Sequence, residues 1–254
     1  MSPALHPALR IARKEAGELV LGLRGQLWLA VTTAVLSGFS LLLVGSIELS
    51  LLDNAQVVYD MAGLVTALGA LLALISGIDA IGGERERGSL LPLLLAPVRR
   101  DSILAGKLGG PVAAWGVMLA LAAPYFWAVG STGQNMLAGM AALLALGTPV
   151  VLGFGFLGVA LGARMQSART ALSVALTGLV LSASPVLLGP SLRQSAIGRV
   201  FDAVNPFSAA LNGFDAVIID SQGAIAQAGH AAVATAWLAI TAWWAAAAIR
   251  RLSN

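Results

Sequence analysis

The densest group of side chains capable of ion-pair or acid–base chemistry lies in residues 82–107. Its charged core is Gly83, Glu84, Arg85, Glu86, Arg87 and Gly88. Alternating opposite charges suit the docking of a partner surface, because they orient association. Ser89 is placed to cap a short apolar helix, with Pro92 in its first turn and residues 96–97 ending it. An ordinary basic loop beside a membrane is the plainer interpretation.

Residues for catalysis are scarce elsewhere. The chain has no cysteine and only two histidines, and its only lysines are Lys14 and Lys107. A triphosphate-binding G-x-x-x-x-G-K-[ST] loop is missing from the sequence, because Lys107 is followed by leucine. We therefore expect no catalytic residue, cofactor or metal in this chain, and no nucleic-acid partner.

Membrane helices must position the charged stretch. The 254 residues are 58% hydrophobic and 11% charged, with a mean hydropathy of +0.86. Soluble domains are roughly 45–50% apolar and about 25% charged. Six apolar runs are long enough to cross a bilayer: residues 27–44, 61–81, 108–129, 137–162, 171–188 and 231–249. The sequence predicts an all-α polytopic bundle of six transmembrane helices, forming one domain over residues 1–254.

The basic residues are distributed unequally between the two sides of this bundle. Of the 15 lysines and arginines, 13 fall on the side that holds both termini, and only Arg193 and Arg199 fall on the other. Positive loops remain in the cytoplasm. We therefore predict that both termini are cytoplasmic and that the chain lies in the bacterial inner membrane.

Three segments lie outside the predicted spans. Residues 7–26 mix apolar and charged positions, including Arg13, Lys14 and Glu15, and predict an amphipathic helix on the cytoplasmic headgroups or a solvated lead-in helix. Residues 82–107 form the cytoplasmic loop described above. Residues 189–229 combine prolines and glycines with apolar stretches, which predicts external re-entrant or capping helices or a plain external loop.

Small and polar residues inside the spans allow fewer conclusions. Gly155, Gly158 and Gly162 predict close helix packing, within the chain or with a second copy. Asp79 lies near the inner end of a span, where an ionisable group is either functional or in contact with interfacial water.

The charged stretch resembles the loop between the second and third spans of type-2 ABC exporter permeases. The positions that match the family pattern are Gly83, Glu84, Arg85, Glu86, Gly88, Leu90, Leu93, Leu94, Pro97, Val98, Arg100, Ile103, Leu104, Gly106 and Lys107. Ser89, Leu91 and Pro92 depart from it. Residues 11–15 resemble the family's entry helix. Residues 79–84 and Asn205-Pro206 are similar to the subgroup that serves nitrous oxide reductase maturation.

This resemblance implies a transmembrane subunit that works in the bilayer as a homodimer or with a similar permease. Soluble ABC ATPase subunits, which carry ATP and magnesium, would drive it. The coupling residues would be Gly83, Glu84, Arg85, Glu86, Arg87, Gly88, Leu93, Leu94 and Pro97, with a second contact from Arg13, Lys14 and Glu15. One alternative is a membrane anchor that transmits ATPase motion to a periplasmic partner through residues 189–229. Another is an ion-coupled carrier, which an inverted repeat would favour.

Overall fold

The computed structural model describes residues 5–45, 54–95, 98, 100–130, 136–187 and 195–251. Every regular element within these ranges is a helix, so the all-α prediction is confirmed for this part of the chain. Pro97 and residues 188–194 of the predicted external segment lie outside the described residues.

Ten α-helices follow one another along the described residues. They are α1 Leu5–Leu21, α2 Leu23–Gly45, α3 Asn54–Ile78, α4 Leu90–Leu95, α5 Arg100–Gly130, α6 Met136–Ala142 with Thr148–Arg164, α7 Ala168–Leu187, α8 Ala196–Val204, α9 Pro206–Phe214 and α10 Ala228–Arg251. A π-helical turn, Leu143–Gly147, joins the two parts of α6, and another, Asp215–Ile219, extends α9. Helices α2, α3, α5, α6 and α10 are long and apolar enough to cross a membrane.

The glycine pair does not end the second span as the sequence predicted. Helix α3 continues through a π-helical turn, Asp79–Gly83, and an α-helical turn, Glu84–Glu86. Gly82 is buried against α6 and the start of α7, where a Cβ would meet the Ala168 side chain at 3.3 Å. Gly82 therefore admits the neighbouring helices, whereas a Cβ on Gly83 would collide with the Asp79 side chain. The charged stretch begins within a helix.

Helices α3 and α6 pack closely at the centre of the bundle. A Cβ on Gly77 of α3 or on Gly158 of α6 would collide with a backbone carbonyl of the other helix, and one on Gly162 would lie 2.8 Å from the Ile78 oxygen. Gly155 faces both Pro111 of α5 and Ala73 of α3. These glycines allow the backbones to approach, and for Gly158 and Gly162 the partner lies in the same chain.

The described part of the predicted external segment contains two short α-helices, α8 and α9, and a 3-10 turn, Ala224–Gln227, before α10. The Ser195 side chain caps α8 by accepting from the Gly198 N–H. The Asn205 side chain caps α9 and donates to the Ser182 carbonyl of α7 at 2.8 Å. These bonds satisfy helix-end N–H groups and fix α9 to the far end of α7.

Candidate functional site

A buried ion-pair cluster, formed by Lys14, Glu15, Glu84 and Lys107, lies at one end of the bundle. We call this end of the bundle the charged end. The Nζ of Lys107 on α5 lies 2.6 Å from Glu15 Oε1 on α1 and 2.6 Å from Glu84 Oε2 beyond α3. The Lys107 side chain is 0% exposed. A charge this deep is tolerated only with close counter-ions, so Lys107 joins three helices.

Glu84 also receives the second lysine of the chain. Lys14 Nζ lies 2.5 Å from Glu84 Oε1 and 3.5 Å from Glu18 on its own helix. Glu84 is only 2% exposed, whereas the Lys14 side chain is half-exposed. Partial burial lowers the pKa of Lys14, but the hydrogen bond and charge of Glu84 outweigh burial, and the pKa is raised. Lys14 therefore remains charged at neutral pH.

Glu15 is the member of the buried ion-pair cluster whose negative charge is disfavoured by burial. Burial raises the pKa of Glu15 above its ordinary value of 4.5, and the opposing charge and hydrogen bond of Lys107 do not cancel that effect. The negative charge of Glu84 raises the pKa further. Lys107 thus neutralises two carboxylates that would otherwise repel each other.

Arg85 and Glu86 bind the ends of two further helices. The Arg85 guanidinium donates to the backbone carbonyls of Met165 and Ala163, the latter at 2.8 Å, at the C-terminus of α6. Glu86 Oε1 accepts from the backbone N–H of Ala168 at 2.8 Å, at the N-terminus of α7. Each charge has the sign that stabilises its helix end. Residues 84–87, called the charged turn below, are therefore linked to α1, α5, α6 and α7.

Arg87 and Gly88 connect the charged turn to helix α4. Arg87 reaches Asp79 at 3.9 Å and Glu18 at 4.0 Å, and its side chain is 45% exposed. Gly88 has φ +72°, a conformation that only glycine adopts readily. This turn directs the chain into α4.

Helix α4 has one buried end and one exposed end. Leu90 packs with Ile81 and with Ile249 of α10, whereas Leu95 is 76% exposed. Leu93 and Leu94 lie within α4, and their side chains are outside the described part. Ser89 donates to the Glu84 carbonyl at 3.3 Å, which ties the start of α4 to the charged turn.

The sequence did not indicate the contact between Glu15 and Lys107. These residues are 92 positions apart in the sequence, and the residues around each of them do not indicate the other as its partner. A usable signal lies in the glycines around Lys107, because a Cβ on Gly106 or Gly109 would press on Ile11 or Ala12 of α1. Of the predicted interfacial contacts, Lys14 and Glu15 face the cluster, whereas Arg13 is exposed.

The charged side chains at the charged end neutralise one another and link the helices mechanically. Its carboxylates and cations pair with one another, and Arg85 and Glu86 bind backbone groups. Within the described residues, no group of three or more His, Asp or Glu side chains is arranged to hold a metal ion.

Comparison with known proteins identifies the family. The pattern of the ABC-2 family transporter protein matches residues 11–252. The chain belongs to this family. It is a multi-pass membrane protein and a permease subunit of the ABC transporter class, consistent with the bacterial inner membrane.

Two curated relatives are similar over part of their length. Each is described as a "Probable ABC transporter permease protein NosY", one from Stutzerimonas stutzeri and one from Pseudomonas aeruginosa. Both are 38% identical over 120 residues, which cover 44% of this chain and 40% of the relative. The resemblance to ABC permeases, including NosY, is confirmed.

Proposed function

We propose that this permease couples ATP hydrolysis by a separate ATPase subunit to the export of a substrate. The ATPase would carry ATP and magnesium, and this chain would hold neither. The supporting observation is the charged turn, which leads into helix α4 with its exposed Leu95 end and contacts four other helices through Glu84, Arg85 and Glu86. A force on α4 would therefore reach most of the bundle.

In this proposal the roles within the charged stretch differ. Leu95 of α4 and Arg87 are exposed and suited to contact the ATPase. Glu84 is buried, so it would position the turn instead of touching the partner. Arg13, exposed on α1, would supply the second contact.

We also propose six spans with both termini in the cytoplasm. Helix α1 packs at the charged end through Glu15, and the end of α10 reaches the same end, where Ile249 packs near Leu90. Five crossings cannot return the chain to its starting side. Helix α7 begins at the charged end, where Glu86 binds Ala168, and meets α9 at Ser182. It would supply the sixth crossing.

The docking role is tested by a charged substitution at the exposed end of α4. Leu95→Lys should reduce co-purification of the ATPase by more than tenfold, because an apolar contact would be replaced by an unpaired charge. Leu137→Lys is the matched control, since Leu137 is 75% exposed and Leu95 is 76% exposed. Leu137 lies in the first turn of α6, at the opposite end of the bundle. Equal ATPase recovery with both variants would contradict the proposal.

A second copy of the chain completes the transporter in this proposal. Gly158 and Gly162 already contact α3, so another surface would form the dimer. Light scattering of the detergent-purified chain, corrected for bound detergent, measures the assembly. A monomer in complex with the ATPase would contradict the homodimer.

The external helix α8 favours a second candidate, the transmission of motion to a periplasmic partner. Val200 and Val204 are both about two-thirds exposed, on one face of α8. If they bind a partner, Val200→Asp with Val204→Asp should preserve ATP hydrolysis and abolish co-purification of that partner. Retained binding would contradict this candidate.

A further inference from the structure

A cleft between α1, α2, α3 and α7 opens at the charged end. Its volume is about 430 Å³, within the range of about 300–1,000 Å³ for small-molecule sites. Charged side chains line one part of the cleft, and apolar ones line the other. A ligand that fits this surface must itself have a charged end and an apolar end.

The charged part carries both signs. Arg87 and Arg169 are two guanidinium groups on this wall, and Arg169 is exposed at the start of α7. Arg87 contacts its carboxylate neighbours only at 3.9 and 4.0 Å, which is longer than the 2.7–2.9 Å of a charge-assisted hydrogen bond. Arginine pairs bind phosphate with the geometry of such bonds, so this wall suits a phosphate.

Carboxylates stand beside the two arginines. Four carboxylates line the same cleft: Glu15, Glu18, Asp79 and Glu86. Glu15 is paired with Lys107 and Glu86 accepts from the Ala168 N–H, whereas Glu18 and Asp79 have side chains that are about half-exposed. Carboxylates accept hydrogen bonds from a protonated amine and repel a second anion. The wall therefore favours a zwitterion with a phosphate and a primary amine over a purely anionic group.

The apolar part faces the side of the bundle where lipid would lie. Trp28, Leu72 and Leu172 line it. Next to it, the corner between α1 and α2 exposes Leu21, Leu23 and Leu27, which in a membrane protein indicates contact with acyl chains. A ligand would therefore enter from the bilayer.

We propose that this cleft binds a phospholipid whose head group carries a phosphate and a primary amine, as in phosphatidylethanolamine. The phosphate lies between Arg87 and Arg169, the amine faces Glu18 and Asp79, and an acyl chain lies along the apolar wall. Because Arg87 belongs to the charged turn, the bound lipid would support that turn. The cleft shares Arg87 with the proposed ATPase contact, whereas Arg169, Trp28 and Leu172 belong to the cleft alone.

Native mass spectrometry of the delipidated, detergent-purified chain tests the site with added phosphatidylethanolamine, phosphatidylglycerol or phosphatidylcholine. Phosphatidylethanolamine should bind at least tenfold more tightly than the other two, which lack a primary amine. Leu172→Trp, which fills the cleft, and Arg169→Gln, which removes one guanidinium, should each weaken its binding about tenfold or more.

The controls are Leu181→Trp, the same substitution on an exposed position of α7, and Arg251→Gln, an exposed arginine at the end of α10. Both should bind as the unmodified chain does. Because Arg169 is exposed, its variant tests the site even if Leu172→Trp misfolds. Unchanged binding in Arg169→Gln, or equal binding of the three lipids, would overturn the proposal.

Discussion

Replacing Lys107 with methionine tests whether the buried ion-pair cluster holds the charged end together. Methionine keeps an unbranched side chain of similar length and removes only the charge and the donors. Glu84 retains Lys14 at 2.5 Å, but Glu15 loses the cation that lies 2.6 Å from its Oε1 atom. The variant therefore isolates the effect of leaving a buried carboxylate without its counter-ion.

The expected magnitude follows from the distances. At 2.6 Å and an effective dielectric constant of about 20, each of the two ion pairs of Lys107 contributes roughly 6 kcal/mol of attraction. Desolvation of the charges offsets most of this, and removing one partner of a buried pair typically costs about 3–5 kcal/mol. For domains of 150–250 residues such a loss lowers Tm by roughly 10 °C.

The assay is the fraction of detergent-purified chain that still elutes as a single species after heating, measured by size-exclusion chromatography over a temperature series. Lys14→Met is the matched control, because it removes the other lysine from the same Glu84 carboxylate. Lys14 is half-exposed, so its loss should cost at most about 1 kcal/mol. The double variant Glu15→Gln with Lys107→Met removes both charges of one pair and should recover at least half of the loss.

Two results would refute this reasoning. If Lys14→Met and Lys107→Met lowered Tm equally, burial would not set the strength of these pairs. If the loss of stability in the double variant equalled the sum of the losses in Glu15→Gln alone and Lys107→Met alone, Glu15 and Lys107 would not interact energetically.

Two further predictions concern the packing and the pH response of the same bundle. Gly158→Ala should destabilise the chain by about 1–3 kcal/mol through overpacking, because the new Cβ would collide with the Leu74 carbonyl. Gly178→Ala is the control, since nothing lies within 4 Å of a Cβ at that position, and it should not destabilise the chain. Equal Tm values for the two variants in the heating assay would contradict this prediction. The raised pKa of Glu15 means that its contribution to stability is complete below its ordinary value of 4.5 and is lost as pH rises through the folded-state pKa. Each unit of pKa shift changes the free energy of unfolding by about 1.4 kcal/mol. Between pH 4.5 and 8, the Tm of Glu15→Gln should therefore fall less steeply than the Tm of the unmodified chain. Identical slopes in the two proteins would contradict this prediction.

Local sequence patterns predicted much of this fold. Apolar runs of sufficient length marked the five long helices, because burial in lipid requires them. The charged motif marked the segment that contacts the most helices at the charged end. Most of its partners were not predictable, because Lys14, Ala163 and Ala168 lie 70 to 82 positions from the residues that bind them. The continuation of α3 past Gly82 was also missed, since glycine disfavours helix interiors, whereas here Gly82 admits α6 and α7.

The position of Lys107 in the chain has a consequence for synthesis. A ribosome makes Glu15 and Glu84 before it makes Lys107, so both counter-ions of the lysine are already present when α5 is made. An unpaired lysine at the centre of an inserting helix costs about 2.5–3.5 kcal/mol. Lys107 lies near one end of α5 and meets carboxylates that are already present. The order of the residues thus allows α5 to insert without an unpaired charge, whereas a circular permutation that places α5 first would remove that advantage.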